Sequence, residues 1–277
     1  MKVTGGALRS DKSWWYLVSF AWKKGKWIPT DAGDNINLLA NDISGHEVTL
    51  QYLPCSHASE MLGVWMAPDG NTTKIESILT AHASNWASNI SNSTASQLET
   101  WTALSTTISP KITYPLPAST LSESSCRSIM YPAYQAALPK AGLSRTLAKP
   151  YRHGPLQSGG LGIKDIFHFQ GTSRIAALVE HCTRGTPTGQ QLHICIEDLV
   201  LETGFFGPLW TMPFKLYSKW CSTHSWMFAT CEYCHDHNII LHLQHSCLHP
   251  KRPQDKSIMA ECAAHFEAKD LAAINRV

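Results

Sequence analysis

Apolar and polar positions follow two different periods along this chain, and the change falls close to Gly70. From Trp14 to Trp22 the residues are aromatic and β-branched. Lys23-Lys24-Gly25-Lys26 then supplies a turn and Trp27-Ile28 begins a return, a pattern that predicts a hairpin. Further strands are predicted over Thr49–Leu53 and Leu62–Met66, the latter closed by a turn at Ala67-Pro68-Asp69-Gly70.

Beyond Gly70 the period becomes helical. Ile75, Ile78, Leu79, His82, Trp86 and Ile90 fall on one face at 3.6-residue spacing. Ser96-Gln97-Leu98-Glu99 has the form of a capping box, and Leu98, Trp101, Leu104 and Ile108 continue as an apolar stripe. Pro110, Pro115 and Pro117 predict an extended connection. Helices are expected over Glu123–Leu138, Ile166–Cys182 and Gln190–Glu202, the first kinked or split by Pro132 and the last stopped by Gly204. A less regular helical pattern covers Phe214–Asp236, and short helices are expected between Asp255 and Asn275. The fold class read from this pattern is mainly α, with a small β-rich N-terminal element followed by a helical region.

Composition narrows the class. With 277 residues, 43% of them hydrophobic, the chain can bury a core. Charged residues make up 16% while Trp occurs ten times, so some aromatic surface is expected to stay exposed and to meet a partner, a further domain or nucleic acid. Nine cysteines, an odd number in a long chain without an apolar leader at Met1–Gly6, do not form a disulfide framework. No apolar run is long enough to cross a membrane. A cytoplasmic or nuclear, non-secreted protein is expected, and the glycosylation sequons at Asn71, Asn89 and Asn92 carry little weight.

The net charge of +2 hides a patchwork. Residues 2–26 hold six cations and one acid, Asp11, whereas residues 27–73 hold six acids and no Lys or Arg. From Ser124 to Lys164 there are six cations (Arg127, Lys140, Arg145, Lys149, Arg152, Lys164) and no acid, with Tyr131, Tyr134 and Tyr151 interleaved. Such a stretch suits a polyanion, because cations release counterions from phosphates and aromatic faces stack on bases. The plainer alternative is a solvated basic face over core tyrosines.

Motifs for other chemistry are absent. The chain has no G-x-x-x-x-G-K-[ST], no H-E-x-x-H and no G-x-S-x-G, and Gly159-Gly160-Leu161-Gly162 lacks the rest of a dinucleotide fingerprint. Two-metal nucleotidyl transfer needs paired carboxylates, and no Asp-Asp pair occurs. Cys231-Glu232-Tyr233-Cys234, followed by His235, His237, His242, His245, Cys247 and His249, has the atoms for a Cys2His2 zinc site, with Cys231, Cys234, His245 and His249 as its candidate ligands. Against zinc, the cluster runs through a predicted helix and the apolar segment Ile239–Leu243 and lacks glycine-bearing knuckles.

Several segments, taken in order, resemble the region downstream of the catalytic core in non-LTR-type retroelement reverse transcriptases. Gly5-Gly6-Ala7-Leu8-Arg9-Ser10-Asp11-Lys12-Ser13-Trp14-Trp15-Tyr16-Leu17 is similar to the end of the polymerase palm, and Met61-Leu62-Gly63-Val64-Trp65-Met66 to the primer grip. Tyr114-Pro115-Leu116-Pro117-Ala118, Leu143-Ser144-Arg145-Thr146 and Gly159-Gly160-Leu161-Gly162-Ile163 look like thumb and post-thumb signatures. Residues 250–259 and 273–277 resemble a connector further along the same polyproteins. The resemblance implies a truncated, non-catalytic fragment: a palm-end and primer-grip remnant over residues 1–70, a helical thumb and post-thumb region over 71–205, and a connector over 206–277. The metal-binding aspartates would precede Met1, so no catalytic residue and no cofactor is expected in this chain, although the parent polymerase would use Mg²⁺. The implied partners are RNA or an RNA–DNA hybrid, bound weakly, and the missing palm. The implied nucleic-acid-binding residues are Lys12 near the incoming phosphates, Leu62 and Gly63 on the primer backbone, and Lys140, Arg145, Lys149 and Arg152 on the thumb side. Two other functions stay open at this point, a zinc-binding module for nucleic acid or protein, and a scaffold that uses its Trp-rich face for protein contacts.

Overall fold

A computed structural model describes residues 13–23, 26–32, 36–41, 44–205, 208–221, 225–243 and 258–274. The chain divides into two compact units, Met1–Asn71 and Thr72–Val277. The first carries all the strands described and the second is helical, so the fold is mainly α, with strands confined to the first 70 residues or so. No helix among the described residues is long and apolar enough to cross a membrane.

In the first unit, eight short strands pair two by two. β1 (Trp14–Trp15) lies parallel to β6 (Gln51–Tyr52), and the predicted hairpin forms between β2 (Val18–Lys23) and β3 (Lys26–Asp31), with Trp22 opposite Trp27. β4 (Leu39–Asn41) pairs with β5 (Glu47–Thr49), so the strand expected over Thr49–Leu53 is divided at Leu50 between two ladders. β7 (Ser59–Met61) and β8 (Val64–Met66) form the last hairpin. The strand expected over Leu62–Met66 is corrected accordingly. Leu62 and Gly63 are the two central residues of a tight turn, with φ of 52° and 81°. Positive φ at both positions is what a two-residue hairpin loop demands.

The second unit opens with α1 (Thr73–Asn92), which buries Ile75, Leu79, Ala83, Ala87 and Ile90. Ile78, His82 and Trp86 of the predicted stripe flank that face, half-buried. α2 (Gln97–Ala103) begins with the expected capping box: Ser96 accepts from the Glu99 amide and Glu99 accepts from the Ser96 amide. The helical path continues through a π turn (Leu104–Ile108) into α3 (Ser109–Thr113), followed by a 3₁₀ turn at Leu116–Ala118. The prolines therefore do not impose an extended connection. Pro110 sits at the start of α3, where no amide donor is needed. Inside a regular helix its ring would crowd the Thr106 carbonyl, and the widened π turn just before it makes room.

α4 (Glu123–Lys140) runs unbroken through Pro132. The acceptor that this proline leaves unpaired belongs to Ser128, an exposed residue whose carbonyl water can reach. α5 (Lys149–His153) is one turn long; α6 (Ile166–Arg184) and α7 (Pro187–Thr203) follow, ending at the left-handed Gly185 and Gly204. α8 (Phe214–Tyr217), α9 (Trp226–Asp236), α10 (Ile258–Ala263) and α11 (Ala268–Ile274) complete the unit. α1 packs on α4, whose inner face carries Cys126, Ile129, Met130, Ala133 and Ala137. A second core joins Leu178 of α6, Ile196, Leu199 and Val200 of α7, and Met227, Phe228 and Cys231 of α9.

Two polar side chains of α6 are almost wholly buried and have opposite fates. Gln170 is paired at both its oxygen and its nitrogen: the oxygen accepts from Ser119 Oγ (2.8 Å) and the Leu121 amide (3.1 Å), and the nitrogen donates to the Leu121 carbonyl (2.9 Å). Arg174 is 2% exposed, yet its Nε and Nη1 have no hydrogen-bond partner. Burial lowers its pKa to about 10. Nearby groups, Glu232 among them, offset only part of that desolvation, whereas removing a paired group strands its partners. Arg174→Met is therefore expected to raise the melting temperature, by roughly 1–4 kcal/mol of stability. Gln170→Leu is expected to lower it, by roughly 2–4 kcal/mol for the two stranded backbone groups of Leu121. Thermal unfolding of both variants checks the pair, and a destabilised Arg174→Met would show that the guanidinium has a partner.

Candidate nucleic-acid interface

The basic stretch of the sequence becomes a cleft where the first turns of α4 and α6 meet α5. Ser122 caps α4, and Glu123 occupies the first turn. Asp165 caps α6, accepting from the amides of Phe167 (3.0 Å) and His168 (3.4 Å). Between them, α5 is held by the glycine loop. The amides of Leu161, Gly162 and Ile163 donate to the carbonyls of Tyr151 (2.8 Å), Gly154 (2.9 Å) and Arg152 (3.1 Å). A β-carbon on Gly160 would lie 2.2 Å from the Gly154 carbonyl oxygen, and one on Gly154 would lie 2.4 Å from that of Pro150. Gly159-Gly160-Leu161-Gly162 is thus a backbone clasp around α5, which side chains at these two glycines would force open.

The cleft, of about 60 Å³, is lined by Arg127, Lys149, Arg152 and His153, by the acids Glu123 and Asp165, and by Tyr131, Tyr134 and Phe167 among others. Glu123 Oε1 takes hydrogen bonds from Arg127 (2.8 Å) and Lys149 (3.0 Å), and these two donors, Lys149 foremost, hold its pKa below the ordinary value. All three side chains are at least half exposed, so the pairs are weak and open to exchange with a competing anion. Arg152 is anchored, donating to the Leu147 carbonyl (2.8 Å) with its guanidinium 4.8 Å from the centre of the Tyr134 ring. Burial pushes the Tyr134 phenol up in pKa, while Tyr131 and Tyr151 are exposed and present ring faces to solvent. His153 bonds the Ile163 carbonyl (2.8 Å) and lies 3.8 Å from Asp165.

Two of the residues expected on the thumb side, Lys149 and Arg152, therefore line one cleft. Arg145 lies exposed in the loop between α4 and α5. Lys140 serves another purpose: its ammonium donates to the carbonyls of Ile90 (2.6 Å) and Ser93 and to Ser93 Oγ (3.1 Å), satisfying the open C-terminal end of α1. Leu62, 93% exposed, and Gly63 lie at the β7–β8 turn in the other unit, and Lys12 falls outside the described residues. Glu123 and Asp165 were not anticipated. They are the residues immediately before and after the acid-free stretch, at the starts of α4 and α6, and both line the cleft.

Cys231 and Cys234 lie on α9 with buried thiols. Burial raises both in pKa, Cys234 to about 11, which disfavours the thiolate that a metal needs. His245 and His249 fall outside the described residues, and among the described residues no group of three or more His, Cys, Asp or Glu is placed to hold a metal ion.

The role of Lys140 is separable from nucleic-acid binding. Lys140→Met is expected to cost about 1–2 kcal/mol, the worth of a cation on a helix C-terminus in a partly buried setting. It should leave affinity for nucleic acid unchanged. Denaturant unfolding and a binding titration on the same variant check both halves.

Comparison of the chain with protein-family models, with curated proteins and with solved structures gives no match.

Proposed function

We propose that this chain is a non-catalytic piece of a retroelement reverse transcriptase, and that it binds the backbone of RNA or an RNA–DNA hybrid through the cleft between α4, α5 and α6. The observation that carries the reading is the convergence of Arg127, Lys149 and Arg152 beside the exposed Tyr131 on one rigid frame. Two of those cations are neutralised only by an exposed glutamate, which a phosphate could displace. Kinship with the polymerases rests on the ordered sequence segments, and the absence of a paired-aspartate motif supports a role without catalysis.

Phosphate-driven binding is sequence-independent and falls steeply with salt. Replacing Arg127, Arg145 and Lys149 together by Gln is expected to weaken binding of an RNA–DNA hybrid and to reduce the salt slope by up to about three. Arg152 stays in place because it also braces the loop at Leu147. Glu123→Gln is expected to do the opposite, tightening binding and steepening the slope, since it frees Lys149 and Arg127. Anisotropy titrations at several salt concentrations measure both, and a Glu123→Gln protein with the parent's affinity and slope would remove the cleft from this reading.

No primer extension is expected from the chain alone with Mg²⁺ or Mn²⁺ on an RNA template. Extension that survives purification and disappears on replacing an acidic residue of this chain would overturn the non-catalytic assignment.

A further inference from the structure

The glycine clasp has a second side. Opposite α5, it faces the π turn of residues 104–108 across a pocket of about 280 Å³. Trp101, Leu104 and Pro110 form one wall, and Leu161, Gly162 and Ile163 form the other, with Lys164 at the edge. The walls are apolar in effect, because the two hydroxyls present are turned back to their own helix. Ser105 Oγ donates to the carbonyls of Trp101 (3.2 Å) and Thr102 (3.0 Å), and Ser109 Oγ to that of Leu104 (2.7 Å). Lys164 is the sole ionisable residue among those lining the pocket. Its ammonium rests 4.9 Å from the centre of the Phe169 ring, a contact that fixes its position and leaves N–H donors for an anion.

These features define an occupant. The volume lies just under the roughly 300–1,000 Å³ of small-ligand sites, which suits one flat ring system and not a larger molecule. The indole and apolar walls favour an aromatic ring, and a lone cation at the edge, with no acid lining the pocket, favours a ring that carries a negative group. We infer that this pocket takes the base of one unpaired nucleotide, held against Trp101, with its phosphate at Lys164. The inference builds on the proposal that the adjoining cleft binds a nucleic-acid backbone, since residues 161–164 line the pocket and the next three, 165–167, line the cleft. The cleft would follow the phosphates while the pocket accepts a base that has left the stack, adding an affinity term that salt does not screen.

Saturation-transfer NMR on the full chain tests this with adenosine monophosphate, adenosine and inorganic phosphate as separate probes. The monophosphate is expected to show transfer concentrated on its base protons, and phosphate alone to show no saturable broadening of its phosphorus NMR signal. Lys164→Ala should weaken the monophosphate roughly fivefold, to the level of adenosine, the worth of one exposed ion pair. Ser105→Trp and Leu156→Trp each place an indole in the opening from an exposed position. Both should abolish base transfer while the salt-dependent binding of a fully paired hybrid persists. Two such variants guard against one that misfolds, and circular dichroism reports folding in each. Absence of transfer in the parent chain, or equal transfer in two folded plug variants, overturns the inference. Base transfer without any hybrid binding would instead sustain the pocket and sink the backbone-binding proposal.

Discussion

The side-chain amide of Gln170 is the interaction on which the helical unit depends. Between the 3₁₀ turn at Leu116–Ala118 and α4 the chain has neither a helix nor a strand to pair its backbone, and it is buried at Ser119 and Leu121. Gln170 satisfies Leu121 in both directions, as a neighbouring strand would, and takes the Ser119 hydroxyl as well. Only Gln and Asn carry a side-chain amide, whose oxygen and nitrogen on one carbon can pair with a single residue's N–H and C=O, and Asn is a methylene shorter. Trp226 adds a second tie, its indole nitrogen donating to the Pro117 carbonyl at 2.8 Å. Together they fix where α4 begins relative to α6 and α9. The start of α4 and the start of α6 are two sides of the cationic cleft, so a buried amide far from any phosphate sets its width.

The two units differ in how they hold together. Among the described residues of the first, Cys55 is the one buried side chain, and Phe20, Trp22, Trp27, Leu39 and Met61 are all more than 40% exposed. Its ladders are two-stranded, a form that is marginal in water without a packed face. It is held by scattered contacts, such as Trp22 edge-on to Trp27 at 5.3 Å within one hairpin and the Trp15 indole donating to the Leu50 carbonyl 35 residues away. Leu62 is part of the same picture. An apolar residue with φ of 52° and 93% exposure contributes nothing to a core, and its backbone would be easier for Asn or Gly. Of the tryptophans whose burial is described, only Trp22 and Trp27 are exposed and the others are half-buried, so the Trp-rich composition does not lie mainly in surface.

How much of this was legible in the sequence depends on the range of the interaction. Periodicity located α1, α4, α6 and α7, because an apolar stripe is a local consequence of a buried face. The Ser96–Glu99 box and the Gly204 stop were legible for the same reason, since each is a contact within one turn. The prolines misled because their effect depends on position within a turn: Pro110 opens a helix after a π turn, and Pro132 lies where its missing bond costs least. The pairing of Lys140 with α1 spans about fifty residues, and nothing in its local sequence distinguishes it from a phosphate-binding lysine. Glu123 and Asp165 flank the acid-free stretch by one residue each. In the first turn of α4 and at the cap of α6 they have local roles, and folding gives them an electrostatic one.

The six cations of the stretch therefore do not act as one charged surface. Lys140 is committed to helix carbonyls and Arg152 to the Leu147 carbonyl and the Tyr134 face, while Lys164 is positioned on the Phe169 face with N–H donors left over. Each of these groups gives shape to the region, and its charge is partly met from within. Arg127 and Lys149 share one exposed carboxylate, and Arg145 stands in a loop, so these three can turn to an external anion at little cost to the fold. A linear count of charge therefore overstates the electrostatic strength of this face. The clasp braces both of its surroundings: it holds α5 beside the charged cleft, and its Leu161 and Gly162, with Ile163, line the apolar pocket that Trp101 shares.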